Sequence, residues 1–335
     1  MKLRQSGEET KSHYSLLKSH YYQKMTPLIF DIKRYAISDG PGIRIAIYFK
    51  GCPLRCAWCH NPESQSPKVQ KLYTASKCIG AQDCIEVCPE DALTLTRDGI
   101  VTDYEKCTLC GKCAEACPTK AIEMSGKLYG VEELMQIIER ERVHIEHSDG
   151  GVTFSGGEPL THPDFLIDML KACKQKGLHC AVDTCGFAPV ETLLKVAKHT
   201  DLFLYDLKMM DPVQHKKWTG KDNKLILKNL KVLAAAGANI NIRIPFIGNV
   251  NTHENEVRAM AEFVANLPFT NRGLETATPK LPEVNLLPYH NIAQNKYNKL
   301  GQIYNSEEMR EPTDEEIGFA KSVFKEKGCL VEIGG

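Results

Sequence analysis

The sequence predicts an α/β fold: an open, partial barrel of six parallel strands with crossover helices, interrupted near its start by a cysteine-rich insert. Three observations carry this. Downstream of Tyr129, apolar runs of strand length alternate with segments of helical period, the pattern of parallel strands joined by helices. The chain has 335 residues, which at about 150 residues per domain means two domains or one barrel-sized domain with an insertion. Of its 14 cysteines, all but Cys173, Cys180, Cys185 and Cys329 fall between Cys52 and Cys117.

Taken in order, residues 1–26 read as a polar N-terminal extension without a period, rich in Tyr, Lys and Ser. Met25 is a candidate start, and the segment lacks the apolar core of a secretory signal. Residues 27–76 open the barrel: Ile43–Phe49 (IRIAIYF) reads as a buried strand, and a Gly-Cys-Pro turn follows. Residues 77–126 form the cysteine-rich, short-looped insert. Residues 127–335 supply the remainder, with strands at Gly151–Ser155, Leu178–Thr184, Asp201–Leu207, Asn239–Phe246 and Glu283–Pro288. Helical patterns cover Val131–Glu146, Pro163–Lys176, Pro189–His199, Asn223–Ala236, Glu254–Leu267 and Asp314–Lys327. Six strands fall short of a closed eight-stranded barrel, so an open one fits better. In parallel α/β folds, sites gather at the C-terminal ends of strands, which makes each strand exit a candidate.

Composition excludes several classes. Apolar residues are 42% and charged residues 25% of the chain, ordinary values that argue against disorder or a fibre. Lys plus Arg and Asp plus Glu are each 42, for a net charge of zero. A protein that neutralises phosphates carries a basic excess, so no nucleic-acid partner is expected. No run approaches the ~18 apolar residues of a membrane span, so no membrane association is expected. Disulfides suit small secreted domains, and zinc is the next alternative. Closely spaced thiolates suit iron–sulfur centres best, and these imply a reducing, oxygen-poor cytoplasm.

The stretch Cys52-Pro-Leu-Arg-Cys56-Ala-Trp-Cys59 is C-x3-C-x2-C on the loop leaving the first predicted strand. Three thiolates hold three corners of a [4Fe–4S] cube and leave one iron open, a vacancy that a catalytic metal needs and a structural one avoids. Around it stand Asp39-Gly40-Pro41-Gly42-Ile43-Arg44 and Trp58-Cys59-His60-Asn61-Pro62-Glu63. Further on come Ser155-Gly156-Gly157-Glu158-Pro159, Tyr205-Asp206-Leu207-Lys208 and Leu286-Leu287-Pro288-Tyr289-His290. With these motifs the chain, from about Leu28 to its end, resembles the glycyl radical enzyme activating enzymes of the radical SAM superfamily.

That resemblance implies a partial (β/α)6 radical SAM barrel with an inserted ferredoxin-like two-cluster domain. It implies S-adenosylmethionine (SAM) on the open iron, cleaved by one electron to methionine and a 5′-deoxyadenosyl radical. The radical would take a hydrogen atom from one glycine of a partner glycyl radical enzyme. By the same resemblance, the segment from Ser155 to Glu158 binds the methionyl amine, with Gly157 the position named. Asp206 and Lys208 flank Leu207 and, in an extended segment, point to one face. They can read the ribose hydroxyls and the carboxylate of SAM, with a structural ion pair as the alternative. His290 is implied beside the adenosyl group, and Trp58 and His60 flank Cys59, next to cluster and cofactor. Asp183 and Thr184 leave the third strand and, with Asp206, suit either a monovalent cation or hydrogen-bonded support of the sheet. The segment from Asp39 to Arg44 is implied near the barrel mouth. Cys173, Cys180, Cys185 and Cys329 lack metal spacing and read as small buried apolar residues.

In the insert, Cys107-x2-Cys110-x2-Cys113-x3-Cys117-Pro118 is a full bacterial ferredoxin motif, and Cys78, Cys84 and Cys88-Pro89 repeat its frame with Ala81 in the second position. In two-cluster ferredoxins the fourth cysteine of each run serves the other cluster. Cys107, Cys110, Cys113 and Cys88 then make a complete [4Fe–4S] site, and Cys78, Cys84 and Cys117 an incomplete one. The incomplete site is open to a [3Fe–4S] cluster, a [4Fe–4S] cluster with an oxygen ligand such as Asp83, or no cluster; an occupied site is the reading taken forward. The insert's expected role is electron relay or shaping of the partner surface, with flavodoxin or ferredoxin as the implied donor. Two other functions compete: a radical SAM enzyme acting on a small molecule or peptide with auxiliary clusters, and a plain electron carrier. Auxiliary clusters that touch substrate usually follow the barrel, whereas this insert interrupts it, and a carrier has no use for a three-cysteine open site. Which glycyl radical enzyme is the partner is not encoded here.

Overall fold

The computed structural model describes residues 26–269 and 281–334, so the expected N-terminal extension lies outside the described residues except for Thr26. The strands are β1 (Leu28–Ala36), β2 (Arg44–Phe49), β3 (Gln70–Tyr73), β4 (Leu93–Thr96), β5 (Gly99–Thr102), β6 (Ile122–Ser125), β7 (Lys127–Leu128), β8 (Gly151–Gly156), β9 (Cys180–Thr184), β10 (Leu202–Asp206), β11 (Ile240–Phe246), β12 (Glu283–Pro288) and β13 (Leu330–Ile333). One sheet runs in the order β13-β12-β11-β10-β9-β8-β2-β1-β7, with β13 and β7 as its open edges. From β2 to β13 every neighbouring pair is parallel, while β1 is antiparallel to both β2 and β7.

All six expected parallel strands are present, and β13 extends the set. Two of the additions, β1 and β13, have a physical reason for being hidden in the sequence. The pairing of β1 with β2 shifts register between Ile29 and Asp31 and again between Lys33 and Ala36, and such bulges break the alternation that marks a strand. β13 buries only Val331. The inner strands read as apolar runs because both faces are covered: Ile45, Ile47, Phe49, Val152, Phe154, Val182, Ile242, Ile244 and Phe246 belong to one continuous core.

The single helix expected over Val131–Glu146 is two, Val131–Arg140 and Arg142–His147, broken at Glu141. There the Glu141 carboxylate turns to Arg34 of β1, 3.2 Å away. The last long helix, Asp314–Glu326, starts on a capping box between Thr313 and Glu316. The Glu316 carboxylate also accepts from Arg310 at 2.7 and 2.8 Å and from Thr252 at 2.8 Å. Those bonds, with Arg310 foremost, hold its pKa down at about 2 from an ordinary 4.5. A depressed folded-state value stabilises the fold above the unfolded pKa and is lost as pH falls through the folded one. Glu316→Gln should therefore melt below the wild type at pH 7, with the gap closing as pH falls from about 4.5 towards 2. Melting curves across that range check it.

The insert joins the barrel through Lys50. Its buried ammonium donates to the Glu63 carbonyl, to Gln70 at 2.9 Å and to Ser125 at 3.4 Å. Gln70 opens β3 and Ser125 closes β6, the antiparallel pair at the base of the insert. Burial lowers the Lys50 pKa to about 8. One side chain thus ties the insert's two base strands to the backbone just ahead of Cys52.

Candidate active site

The loop after β2 is fixed from two sides. Gly51 and Cys52 donate backbone bonds to Ser64 (2.7 Å) and Gln65 (3.3 Å), while Arg55 and Ala57 donate to Thr219 (2.7 Å) and Trp218 (3.0 Å). Thr219 ends a helix, Pro212–Thr219, that the helical periodicity of the sequence does not announce. Its left-handed cap at Gly220 (φ +79°) packs against Arg55. Lys296 braces the far end of the loop, 2.6 Å from Asn61 Oδ1 and 3.0 Å from Glu63 Oε1.

This loop forms one wall of a cavity of about 220 Å³, far larger than a water site and shaped for a small-molecule ligand. Cys52, Cys56, Trp58, Cys59 and His60 line it, together with Ser155, Gly156 and Gly157 from β8, Asp183, Thr184 and Cys185 from β9, Asp206 and Lys208 from β10, Arg243 from β11 and Tyr289 after β12. Apart from Arg243, midway along β11, the contributions come from C-terminal strand ends or the loops that follow them, as a parallel sheet dictates. Burial pushes the Cys56 thiol up to about 12 and raises Cys59 as well. A cluster held by these side chains would take them as thiolates, so its binding would release their protons. Among the described residues no group of three or more His, Cys, Asp or Glu side chains is placed to hold a single metal ion. Thiols spread around open space fit a cube of irons and not one zinc ion.

Gly157 packs its Cα against the cluster loop: a Cβ there would lie 2.3 Å from the Gly51 carbonyl oxygen and 2.9 Å from that of Ser64. Its N–H is committed to Phe49 O at 2.8 Å, which leaves its carbonyl to accept from an ammonium. The neighbouring Glu158 is fully buried and accepts from Leu160 N (3.0 Å), Thr184 Oγ1 (2.7 Å) and Cys185 N (2.8 Å). It welds the β8 exit to the β9 exit, and burial raises its pKa. Cys185 is buried in the apolar core, as expected, and also lines the cavity, where its thiol is the largest influence lowering that of Cys52.

Asp206 and Lys208 pair at 2.8 Å. Burial works against the Lys208 charge, yet Asp206 and the Cys56 thiol hold its pKa above the usual lysine range. Asp183 accepts from Ser155 Oγ at 2.7 Å and lies 3.5 Å from Arg243; burial raises its pKa to about 6 against the pull of that guanidinium. The Arg243 Nε is buried without a hydrogen-bond partner among the described residues. Two carboxylates, an ammonium and a guanidinium thus frame the side opposite the thiols.

Some expected residues stand apart. Leu207 is buried behind the lining, its N–H on Arg243 O at 2.9 Å. The His290 side chain is exposed, 3.3 Å from Glu311, and the cavity wall is made by Tyr289. Arg44 opens β2, at the opposite end of the strand from Cys52, with its guanidinium on Pro41 O, Val152 O and Thr153 Oγ1. Arg44 thus caps the N-terminal end of β2, while the Asp39 carboxylate of the same segment accepts from Tyr48 Oη at 3.1 Å, near the other end of the strand, and its charge acts on Asp183 and Arg243 of the cavity lining. Arg243 and Cys185 are missing from the expectation. A charged residue inside the apolar run INIRIPF was the available signal for Arg243.

In the insert, a second cavity is lined by Cys88, Cys107, Cys110 and Cys113, along with Lys71. Cys78, Cys84 and Cys117 do not line that cavity and pack, with Tyr73 and Ile100, into the one small apolar core of the insert.

A family model described as the Radical SAM superfamily matches residues 105–264. A 4Fe-4S dicluster domain matches residues 77–121 and a 4Fe-4S single cluster domain residues 38–94. The chain is 44% identical over 314 residues to the trans-4-hydroxy-L-proline dehydratase activating enzyme of Clostridioides difficile, covering 93% of this chain and 100% of the relative. It is 38% identical to the choline trimethylamine-lyase activating enzyme of Oleidesulfovibrio alaskensis, covering 83% and 88%. Among solved structures, Streptococcus suis SuiB bound to precursor peptide SuiA matches with a TM-score of 0.51 over 98% of this chain and 53% of that one; at 11% identity this is a likeness of fold alone.

Proposed function

We propose, from the premise that this chain belongs to the glycyl radical enzyme activating enzymes of the radical SAM superfamily, that the cavity at the strand ends is where SAM is bound and cleaved. As a member of that family the protein carries iron–sulfur clusters, uses SAM and activates a partner glycyl radical enzyme. The alternative of an enzyme acting on a small molecule or peptide is not taken further. The single observation behind the site assignment is convergence: three thiols, a glycine-rich strand exit and two buried cations line one cavity.

Cys52, Cys56 and Cys59 would hold the [4Fe–4S] cluster, which when bound would supply the one-electron reduction that cleaves SAM for hydrogen-atom removal from the partner glycine. The chain's own residues do the rest. The Gly157 carbonyl accepts from the methionyl ammonium. Lys208 and the unpartnered Nε of Arg243 give the carboxylate two buried positive donors, where charge-assisted bonds are strong. Asp206 is left for the ribose, with Leu207 holding the segment in register. Trp58, His60 and Tyr289 wall the site and exclude water, which protects a reactive radical. For His290 the reading requires its ring to leave Glu311 and turn over the adenosyl group. A monovalent cation among Asp183, Thr184 and Asp206 belongs to the same reading. It competes with Arg243, already beside Asp183, while the Thr184 hydroxyl is committed to Glu158.

In the insert, residues 77–126, we assign Cys88, Cys107, Cys110 and Cys113 to one [4Fe–4S] cluster and Cys78, Cys84 and Cys117 to a second cluster. Residues 27–76 and 127–335 make the barrel. The insert relays electrons from flavodoxin or ferredoxin in the cytoplasm. The partner we assign is a glycyl radical dehydratase of the hydroxyproline type, supported by the 44% identity across the whole length of that activating enzyme. Anaerobic mixing with trans-4-hydroxy-L-proline dehydratase, SAM and reductant should give a glycyl doublet in the electron paramagnetic resonance (EPR) spectrum. A doublet with choline trimethylamine-lyase instead would move the partner assignment, and no doublet with either would overturn it.

A further inference from the structure

The loop from Cys52 to Cys59 contains no helix or strand, so its shape is set by the groups that receive its N–H donors. Arg55 N and Ala57 N flank Cys56 and donate to Thr219 O at 2.7 Å and Trp218 O at 3.0 Å. Those carbonyls are the last two of helix Pro212–Thr219. A helix end leaves its final carbonyls without intrahelical partners, so they are free to accept from elsewhere. Where they point depends on how the helix ends.

That end is held by His215, one turn back from Thr219 and on the same face. Its ring is buried, with Nδ1 2.6 Å from Lys221 O and 3.0 Å from Thr219 Oγ1. The Lys221 carbonyl can only accept, so Nδ1 carries the proton. The Thr219 hydroxyl donates back to His215 O at 2.7 Å. Between them Gly220, at φ +79° and packed against Arg55, reverses the chain so that Lys221 O returns to the ring. Nε2 is then the bare nitrogen, buried with no hydrogen-bond partner among the described residues. Burial lowers the His215 pKa, in keeping with a neutral ring that is used through Nδ1 alone.

We propose that His215 is a positioning residue for the cysteine loop: its Nδ1–H, donated to Lys221 O, fixes the turn that presents the Thr219 and Trp218 carbonyls to Arg55 and Ala57, and through them places Cys56. Groups that hold metal ligands in place from behind are worth about 10–100-fold in metal affinity or activity. The proposal rests on the reading that Cys52, Cys56 and Cys59 hold the cluster that cleaves SAM. The hydrogen bonds it invokes belong to the chain itself, so they can be read independently of turnover.

The test compares the full chain as wild type, His215→Asn, His215→Gln and His215→Phe, each reconstituted anaerobically with iron and sulfide. Asparagine puts an amide N–H near the Nδ1 position, glutamine reaches the Nε2 position instead, and phenylalanine keeps a ring without either nitrogen. Hydrogen–deuterium exchange over residues 53–58 reads the two loop bonds, with strand β12 as the reference for general loosening, and SAM cleavage is measured on the same samples. The expected result is faster exchange in the loop of the Gln and Phe variants with β12 still protected. SAM cleavage in those two should fall about 10-fold or more, and the Asn variant should stay near wild type in both readouts. Loop exchange alike in all four proteins would overturn the proposal and leave the site assignment standing, as would wild-type cleavage in the Gln and Phe variants. Protection lost from β12 as much as from the loop would overturn it in favour of a purely structural histidine. A wild type that holds iron but cleaves no SAM would overturn the site assignment and the proposal together.

Discussion

Alanine at Cys56 or Cys59 should reduce SAM cleavage to background while the insert keeps its iron. The two thiols face the same cavity as Cys52, and Cys56 also packs against the neighbouring apolar cores, so its loss should lower stability as well. Two remaining thiolates cannot hold three corners of a cube, so the effect is loss of the centre and not a change in its affinity. The insert's cysteines pack in their own small core, so their iron should survive. Cys52→Ala is expected to behave likewise. There, any residual iron that vanishes in the Cys52→Ala, Cys185→Ala double variant would identify Cys185 as a substitute ligand, since it lies beside Cys52 in the lining. Chromatographic assay of 5′-deoxyadenosine, paired with iron analysis, reads both quantities. Wild-type turnover in Cys56→Ala or Cys59→Ala would reject the ligand assignment.

Gly157→Ala has the second largest expected effect, and its cause is purely steric. The glycine is not left-handed, so alanine is allowed by the backbone, but its Cβ would meet the Gly51 carbonyl oxygen at 2.3 Å and its carbon at 2.8 Å. Gly51 is held in that place by its bond to Ser64 and by the Glu158 N–H at 2.9 Å. The cluster loop has to move away from the β8 exit, and a displacement of about 1 Å costs on the order of 100-fold in rate. Overpacking of this kind costs about 1–3 kcal/mol of stability. SAM cleavage should therefore fall about 100-fold with a lowered melting temperature. Gly318→Ala is the control: on a helix with open space around it, it should leave turnover alone and raise stability by about 1 kcal/mol. Equal turnover in Gly157→Ala and wild type would show that the close approach of β8 to the loop is dispensable.

The parts of this fold that were legible in the sequence are those whose cause is local. Apolar runs such as IRIAIYF and VTFSG give buried parallel strands because both faces are covered, and short cysteine spacings crowd thiols around one turn whatever surrounds them. The meeting of Cys88 with Cys107, Cys110 and Cys113 around one cavity was accessible because the half-repeat is written in the sequence. The rest is tertiary. Arg243 matters because β11 lies beside β10 and aims it at Asp183; Trp218 and Thr219 matter because their carbonyls receive the cluster loop; Lys296 matters because the chain returns to clamp Asn61 and Glu63. Cys185 carries no spacing signal, and only the packing of β9 against the loop puts it next to Cys52.

The most direct test follows the hydrogen atom. A partner glycyl radical enzyme made with α,α-dideuterated glycine is mixed anaerobically with this protein, SAM and reductant, and the 5′-deoxyadenosine is analysed by mass spectrometry. One deuterium per molecule, appearing together with the glycyl radical and absent in Cys56→Ala, is the predicted result. Unlabelled 5′-deoxyadenosine alongside a full glycyl radical, or a radical formed with no 5′-deoxyadenosine at all, would contradict it.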